Sequence, residues 1–464
     1  MADHQGVDLS SGPQTIHVIG AGGSGMSAIA TVLALMGHDV SGSDLRSSVA
    51  LDRLAAAGVT VQVGHDAALA RRSDVVAMST AIPADNPEVL AARAAGVEVL
   101  SRAGILAAMA ATRQVVAVAG THGKTTTSAM LARILADAGG RPSWVVGGDI
   151  VGLGGGGGWD AGGTWMVVEA DESDGTFLVL PRHVGVVTSV EPDHLDFYGD
   201  EASMLRAYES FLAGCGGARV VCADDPGATA LGRGPAGGPG VITYGTTAGS
   251  TFTMSDLEAG RSEMAFEVRG PDGDHGRVQL AVPGIHNARN ATGALAAAVA
   301  IGVPLAEAVA GLGRFTGVAR RLERCGERDG ITFIDDYAHL PGEVATVLAT
   351  VAGAGWGRVV AVFQPHRYSR TSALHGAFAD AFVDADVVVV TGIYPSGEAP
   401  IPGVSGRLVA DAIAVAHGDT DLHYCEDLAD LPSLLAGLLV AGDLCVTLAA
   451  GDLTDVPRRL VAGA

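Results

Sequence analysis

Gln114-Val115-Val116-Ala117-Val118-Ala119-Gly120-Thr121-His122-Gly123-Lys124-Thr125-Thr126-Thr127 is the stretch on which the fold turns. An apolar run of strand length enters a Gly-bounded turn, and Met130, Leu131, Ile134 and Leu135 then recur at helical spacing. The pattern is strand, tight turn, helix. Backbone N–H groups of such a turn and of the helix start can cradle phosphate oxygens. Lys124 would place a point charge at the β and γ phosphates, and the Thr125 hydroxyl would ligate Mg²⁺. Gly120, Thr121, His122, Gly123, Lys124, Thr125 and Thr126 are therefore the expected ATP-binding residues. The motif departs from its general form where Val118 stands in place of the first glycine. The competing account, a structural turn with an incidental lysine, is weakened by the intact Gly-Lys-Thr core.

Working outward, lysine occurs once in the 464 residues, at Lys124. A bias toward arginine codons explains its absence elsewhere but not its survival inside this turn. The formal charge of -22, from 29 Lys+Arg against 51 Asp+Glu, argues against a nucleic-acid partner, which needs a basic face. Phosphate recognition must then be local. Five scattered cysteines without a C-x-x-C pair suit neither a disulfide framework nor a zinc site and fit a reducing cytoplasm. Met1-Ala2-Asp3-His4 lacks the basic start of a signal peptide, and apolar runs such as Met26 to Met36 stop short of membrane-spanning length.

Short apolar runs alternate with Gly-punctuated turns and Ala-rich helical stretches from Thr15 onward, which predicts an α/β architecture with parallel sheets. Length suggests about three domains at roughly 150 residues each. Their expected extents are 12–111, 112–316 and 317–464. A turn-rich, more β-like region is expected from Thr243 to Val282, and Gly154 to Gly158 reads as a flexible surface loop without chemistry.

Further candidate sites lie at predicted strand ends, where α/β sheets bind ligands. Glu169 opens the cluster Glu169-Ala170-Asp171-Glu172-Ser173-Asp174 and is the best second ligand for Mg²⁺; a solvated acidic loop is the alternative. His194, in Asp193-His194-Leu195-Asp196, is a candidate for a second metal position or for the γ-phosphate. His286, Asn287 and Asn290 stand at a helix start, the two asparagines on one face, suited to adenine edges or to capping. His366, Arg367 and Arg370 follow a strand and suit an anionic group. Gly20-Ala21-Gly22-Gly23-Ser24-Gly25 with Asp44 matches a dinucleotide-binding turn plus a ribose-binding acid, and taken alone would indicate NAD.

Together these segments resemble the Mur ligases of peptidoglycan assembly, most closely their alanine-adding branch. The resemblance runs over nearly the whole chain, through His17 to Ser27, Ser41 to Asp44, Gly120 to Thr127, Glu169 to Asp174, Asp193 to Asp196, His286-Asn287, Phe315 to Arg321, Asp335-Asp336-Tyr337-Ala338-His339 and Gln364 to Arg370. It implies an N-terminal Rossmann-like domain for a UDP-sugar, a central P-loop ATPase-like domain and a C-terminal Rossmann-like domain that receives the amino acid. Gly20, Gly22, Gly23, Gly25 and Asp44 would then bind the UDP-sugar. Tyr337, His339, His366, Arg367 and Arg370 would position alanine and the transferring phosphate, with Lys124, His194, His339, His366, Arg367 and Arg370 as the catalytic set. The implied reaction joins L-alanine to the lactyl carboxylate of UDP-N-acetylmuramate through an acyl phosphate, with ATP and Mg²⁺.

Two alternatives stand beside it, a recycling ligase that attaches a preformed peptide and a nicotinamide-dependent oxidoreductase. Sister ligases that use a carbamylated lysine as a metal-site ligand are disfavoured, because the chain has no lysine but Lys124. Leu340 where the family has His, Ser189 where it has Asn, and Ala450 where it has Gly depart from the pattern and put local contacts in question.

Overall fold

A computed structural model describes residues 7–234 and 240–463, so Met1–His4 lie outside the described residues. The chain forms two compact units. The first holds the described residues up to Leu257 with Ala265–Ala281 and His286–Thr316, and the second holds Glu258–Met264, Val282–Ile285 and Gly317 onward.

Within the first unit, the N-terminal sheet is parallel and five-stranded. Thr15–Ile19 lies at its centre, between Asp39–Asp44 and Val75–Met78, with Thr60–Val63 and Glu98–Ser101 at the edges. Helix Ser24–Leu35 leaves the first strand through the Gly20–Gly23 turn and buries Met26, Ile29, Ala30 and Leu33, spaced three or four apart as an inward helix face requires. Next comes a ten-stranded sheet in which Gln114–Ala119 runs between Val184–Val187 and Trp165–Glu169. Val115 to Ala119 are buried throughout, as expected of a central parallel strand covered on both faces. The β-like region is present as Val241–Gly245, Phe252–Ala259, Met264–Arg269 and His275–Leu280.

The glycine run corrects the expectation of a flexible loop. Gly155–Gly158 is a strand paired antiparallel with Ser143–Ile150, and Gly156 to Gly158 are buried. The helix Ser24–Leu35 of the N-terminal domain packs on this strand, so closely that a Cβ on Gly157 would collide with the carbonyl oxygen of Ala28. A composition typical of flexible linkers is here a contact surface between backbones. Gly157→Ala should lower stability by about 1–3 kcal/mol through this overpacking. An unaltered midpoint in urea unfolding would refute the close approach.

In the second unit, Asp443–Leu448 lies between Ile331–Asp336 and Arg358–Phe363; Val387–Thr391 and Asp421–Cys425 extend the parallel sheet, and Glu323–Arg328 closes the other edge antiparallel. Val387 to Val390 and Val359 to Phe363 are buried. Among the described residues, no helix is long and apolar enough to cross a membrane.

Candidate active site

Strand Gln114–Ala119 delivers the turn, and helix Lys124–Asp137 begins directly after Gly123. Gly123 has φ +80°, and a Cβ there would strike the side-chain oxygen of Asn290. Only glycine lets the asparagine of helix Ile285–Ala300 approach so closely. Asn290 donates to the Asn287 side chain at 3.3 Å, so the two asparagines and the turn form one wall. His286, half-buried, precedes them at the helix start. Burial, with Arg289 nearby, pulls its ring down to about 4, so it is neutral near pH 7.

No side chain caps the helix at Gly123, so its first-turn amides at Lys124, Thr125 and Thr126 form the free positive end of the dipole. The amides of Thr121 and His122 are already engaged, donating to the Ser189 carbonyl at 2.9 Å and the Ser189 hydroxyl at 3.0 Å. Ser189 thus clasps the loop with its own side chain.

The Lys124 ammonium donates to Gly120 O at 2.7 Å, to Thr121 O at 3.4 Å and to Glu172 Oε1 at 2.7 Å. Burial opposes its charge, but Glu172, Asp171 and Glu169 outweigh that effect and hold it above the usual lysine range. Burial pushes the Glu172 carboxyl up against the pull of the same ammonium. Thr125 Oγ1 donates to Glu169 Oε1 at 2.9 Å, and Glu169 Oε2 accepts from Gly147 N–H at 2.6 Å. The structure therefore joins the hydroxyl and the carboxylate expected to share a cation. The His194 ring instead pairs with Asp193 at 3.4 Å, with its backbone left-handed at φ 52°.

The glycine turn of the N-terminal domain is built differently. Gly20 and Ala21 donate to Ser43 O at 2.8 and 3.0 Å, and Gly22 donates to Asp44 Oδ2 at 2.9 Å. The carboxylate expected to read a ribose is thus bound to the turn itself. Among the described residues, no side chain caps the first turn of helix Ser24–Leu35 at Gly23.

In the second unit, Tyr337, His339 and His366 form an aromatic row with centroid spacings of 5.4 and 5.6 Å. Arg370 Nη1 donates to His366 Nδ1 at 3.0 Å. Burial, then the neighbouring His339 and Arg370, draws the His366 ring down to about 4; burial likewise lowers His339. Both rings are neutral near pH 7, so the positive charge of this cluster comes from its arginines. Arg367 holds φ at 66°, a non-glycine strain of about 1–3 kcal/mol, and its N–H donates to Tyr394 O at 2.9 Å.

Comparison with known proteins identifies the family. Residues 15–114 match the catalytic domain of the Mur ligase family, 118–298 the Mur ligase middle domain and 320–451 the Mur ligase glutamate ligase domain. A UDP-N-acetylmuramate–L-alanine ligase of Kineococcus radiotolerans is 46% identical over 449 residues, spanning 95% of this chain and 94% of that protein. The chain belongs to the Mur ligase family.

Among solved structures, the UDP-N-acetylmuramate–alanine ligase of Thermotoga maritima superposes with a TM-score of 0.82 at 29% identity, covering 97% of this chain and 98% of that one. A murein peptide ligase of Psychrobacter arcticus shares the fold at a TM-score of 0.73 and 24% identity, again over 97% and 98%. The architecture of this Mur ligase is therefore common to both activities, and the fold alone does not choose between them.

Several neighbours of the site in this Mur ligase were not singled out from sequence. Tyr394 stacks on His366 at 5.8 Å, and Arg320 and Arg321 lie over the Tyr337 ring at 4.7 and 5.4 Å. Tyr394 follows the buried strand Val387–Thr391 by three residues, the same strand-end signal that marked His366. Leu340 sits at the start of helix Pro341–Ala352, where its N–H and that of His339 donate to Glu343 at 3.1 and 3.0 Å. Near Ala450, Arg320 donates to Ala449 O at 2.6 Å.

Proposed function

We propose that this protein joins L-alanine to the lactyl carboxylate of UDP-N-acetylmuramate, converting ATP to ADP and phosphate. The carboxylate oxygen attacks the γ-phosphorus and ADP leaves; the alanine amine then attacks the acyl carbon, phosphate leaves with the former carboxylate oxygen, and the amine loses its proton. A carboxylate approaching a polyphosphate needs concentrated positive charge. The observation that carries the reading is Lys124, half-buried and oriented by Gly120 O and Glu172 beside the Thr125–Glu169 pair.

The Thr125 hydroxyl, which donates to Glu169 Oε1 at 2.9 Å, and the Glu169 carboxylate are hard oxygen ligands that would suit Mg²⁺. When bound, that cation neutralises charge on the β and γ phosphates. The chain's own residues do the rest. The first-turn amides of helix Lys124–Asp137 grip phosphate, Asn287 and Asn290 face the base, and His194 lies at the start of the short helix Leu195–Tyr198 as a further ligand candidate. Tyr337, His339, His366, Arg367 and Arg370 receive the alanine carboxylate and the transferring phosphate, their arginines supplying charge while the two imidazoles stay neutral.

We take 12–111, 112–316 and 317–464 as the UDP-sugar, ATP and amino-acid domains. A cytoplasmic location is supported by the five free cysteines, Cys215, Cys222, Cys325, Cys425 and Cys445. Comparing phosphate release from UDP-N-acetylmuramate and ATP with L-alanine or with a preformed tripeptide tests the assignment. Turnover is expected with L-alanine; turnover with the tripeptide alone would make the protein a recycling ligase.

A further inference from the structure

The Lys124 ammonium has three N–H donors, and the chain itself engages them: Gly120 O accepts at 2.7 Å, Thr121 O at 3.4 Å and Glu172 Oε1 at 2.7 Å. A γ-phosphate oxygen reaches this group only in exchange for one of those acceptors. Release of the loosest, Thr121 O, does not suffice. With Glu172 still at 2.7 Å, a phosphate meets an ion pair whose charges largely cancel, and the triphosphate repels the carboxylate of that pair.

The carboxylate has little room to leave. Glu172 is 3% exposed, and Tyr198 Oη donates to its backbone carbonyl at 2.5 Å, which holds the segment against helix Leu195–Tyr198. Its second oxygen, Oε2, is buried and has no hydrogen-bond partner among the described residues. A buried carboxylate deprived of its counter-ion is costly as an anion and cheaper as a neutral acid. We infer that Glu172 competes with the γ-phosphate for Lys124, and that nucleotide binding resolves the competition by moving one proton from solvent onto the Glu172 carboxylate. One O–H bond forms, a buffer acid gives up the proton, and a neutral pair becomes a net cation where the phosphate lands. The groups facing Glu172 fit this exchange. Burial pushes its carboxyl up against the pull of Lys124, and the neighbouring Asp171, itself bonded to Arg102 Nη2 at 2.7 Å, pushes it up further. Burial, then Glu172, keeps the Tyr198 and Tyr208 phenols protonated, so neither changes charge in its place.

This inference rests on the reading of the Lys124 loop as an ATP site. Titration calorimetry of the full chain with the Mg²⁺ complex of a β,γ-imido ATP analogue, in buffers of different ionisation enthalpy near pH 7, reads affinity and protons exchanged together. Wild-type protein is expected to take up protons, and Glu172→Gln, whose amide does not titrate, to take up fewer by about one per nucleotide. The variant should also bind the analogue roughly tenfold more tightly, because the ammonium no longer has to be won from an anion. Equal proton exchange in the two proteins, or weaker binding by Glu172→Gln, would overturn the inference and leave the ATP reading standing. If the variant does not fold, wild-type protein decides alone: affinity that rises as pH falls supports the inference, and affinity that is flat or falls with pH overturns it. No binding of the analogue by folded wild-type protein would remove the ATP reading and the inference with it.

Discussion

Lys124→Ala abolishes phosphate release, by at least about a thousandfold, because the sequence has no other lysine and the γ-phosphate loses its fixed point charge. The same substitution strands the Glu172 carboxylate, which is 3% exposed and has Lys124 as its charge partner at 2.7 Å. Leaving one member of a buried pair is destabilising by about 3–5 kcal/mol. The double variant Lys124→Ala/Glu172→Gln therefore separates the two effects: its melting temperature recovers while its turnover does not. Lys124→Arg keeps the charge but replaces a compact ammonium, held between two carbonyls and a carboxylate, by a planar fork that does not fit that geometry. It too should turn over far more slowly than wild type. Near-native rates in either lysine variant would refute the phosphate role.

Glu169→Gln should lower turnover roughly a hundredfold, about 3 kcal/mol of transition-state stabilisation, and raise the Mg²⁺ concentration needed for half-maximal rate. Glu169 accepts from Thr125 and from Gly147 N–H with its two oxygens, so a glutamine must turn one N–H group toward a donor. Titrating activity with Mg²⁺ reads the effect directly. A variant with the wild-type Mg²⁺ dependence would remove Glu169 from the cation site.

Much of this site was legible because it sits where the chain changes from strand to helix. Val115 to Leu135 shows its apolar strand, its turn glycines and its helical spacing within 21 residues, and Glu169 and His366 follow apolar strands in the same way. What stayed hidden depends on distance along the chain. Arg102 and Asp171 are 69 residues apart, and nothing in either neighbourhood names the other. Gly155–Gly158 has the composition of a linker, and its strand identity appears only in its pairing with Ser143–Ile150, with the backbone of Ala28 close against Gly157. Ser189 departs from the family pattern yet makes its own contact, accepting the His122 amide, since a hydroxyl can fill an acceptor's place at that distance.

The central claim is that the sugar-bound carboxylate itself attacks ATP. UDP-N-acetylmuramate labelled with ¹⁸O in its lactyl carboxylate, incubated with ATP and L-alanine, tests this by mass analysis of the phosphate released. One labelled oxygen is predicted in each phosphate, carried over when the acyl phosphate breaks; unlabelled phosphate alongside formed product would contradict carboxylate activation at the Lys124 loop.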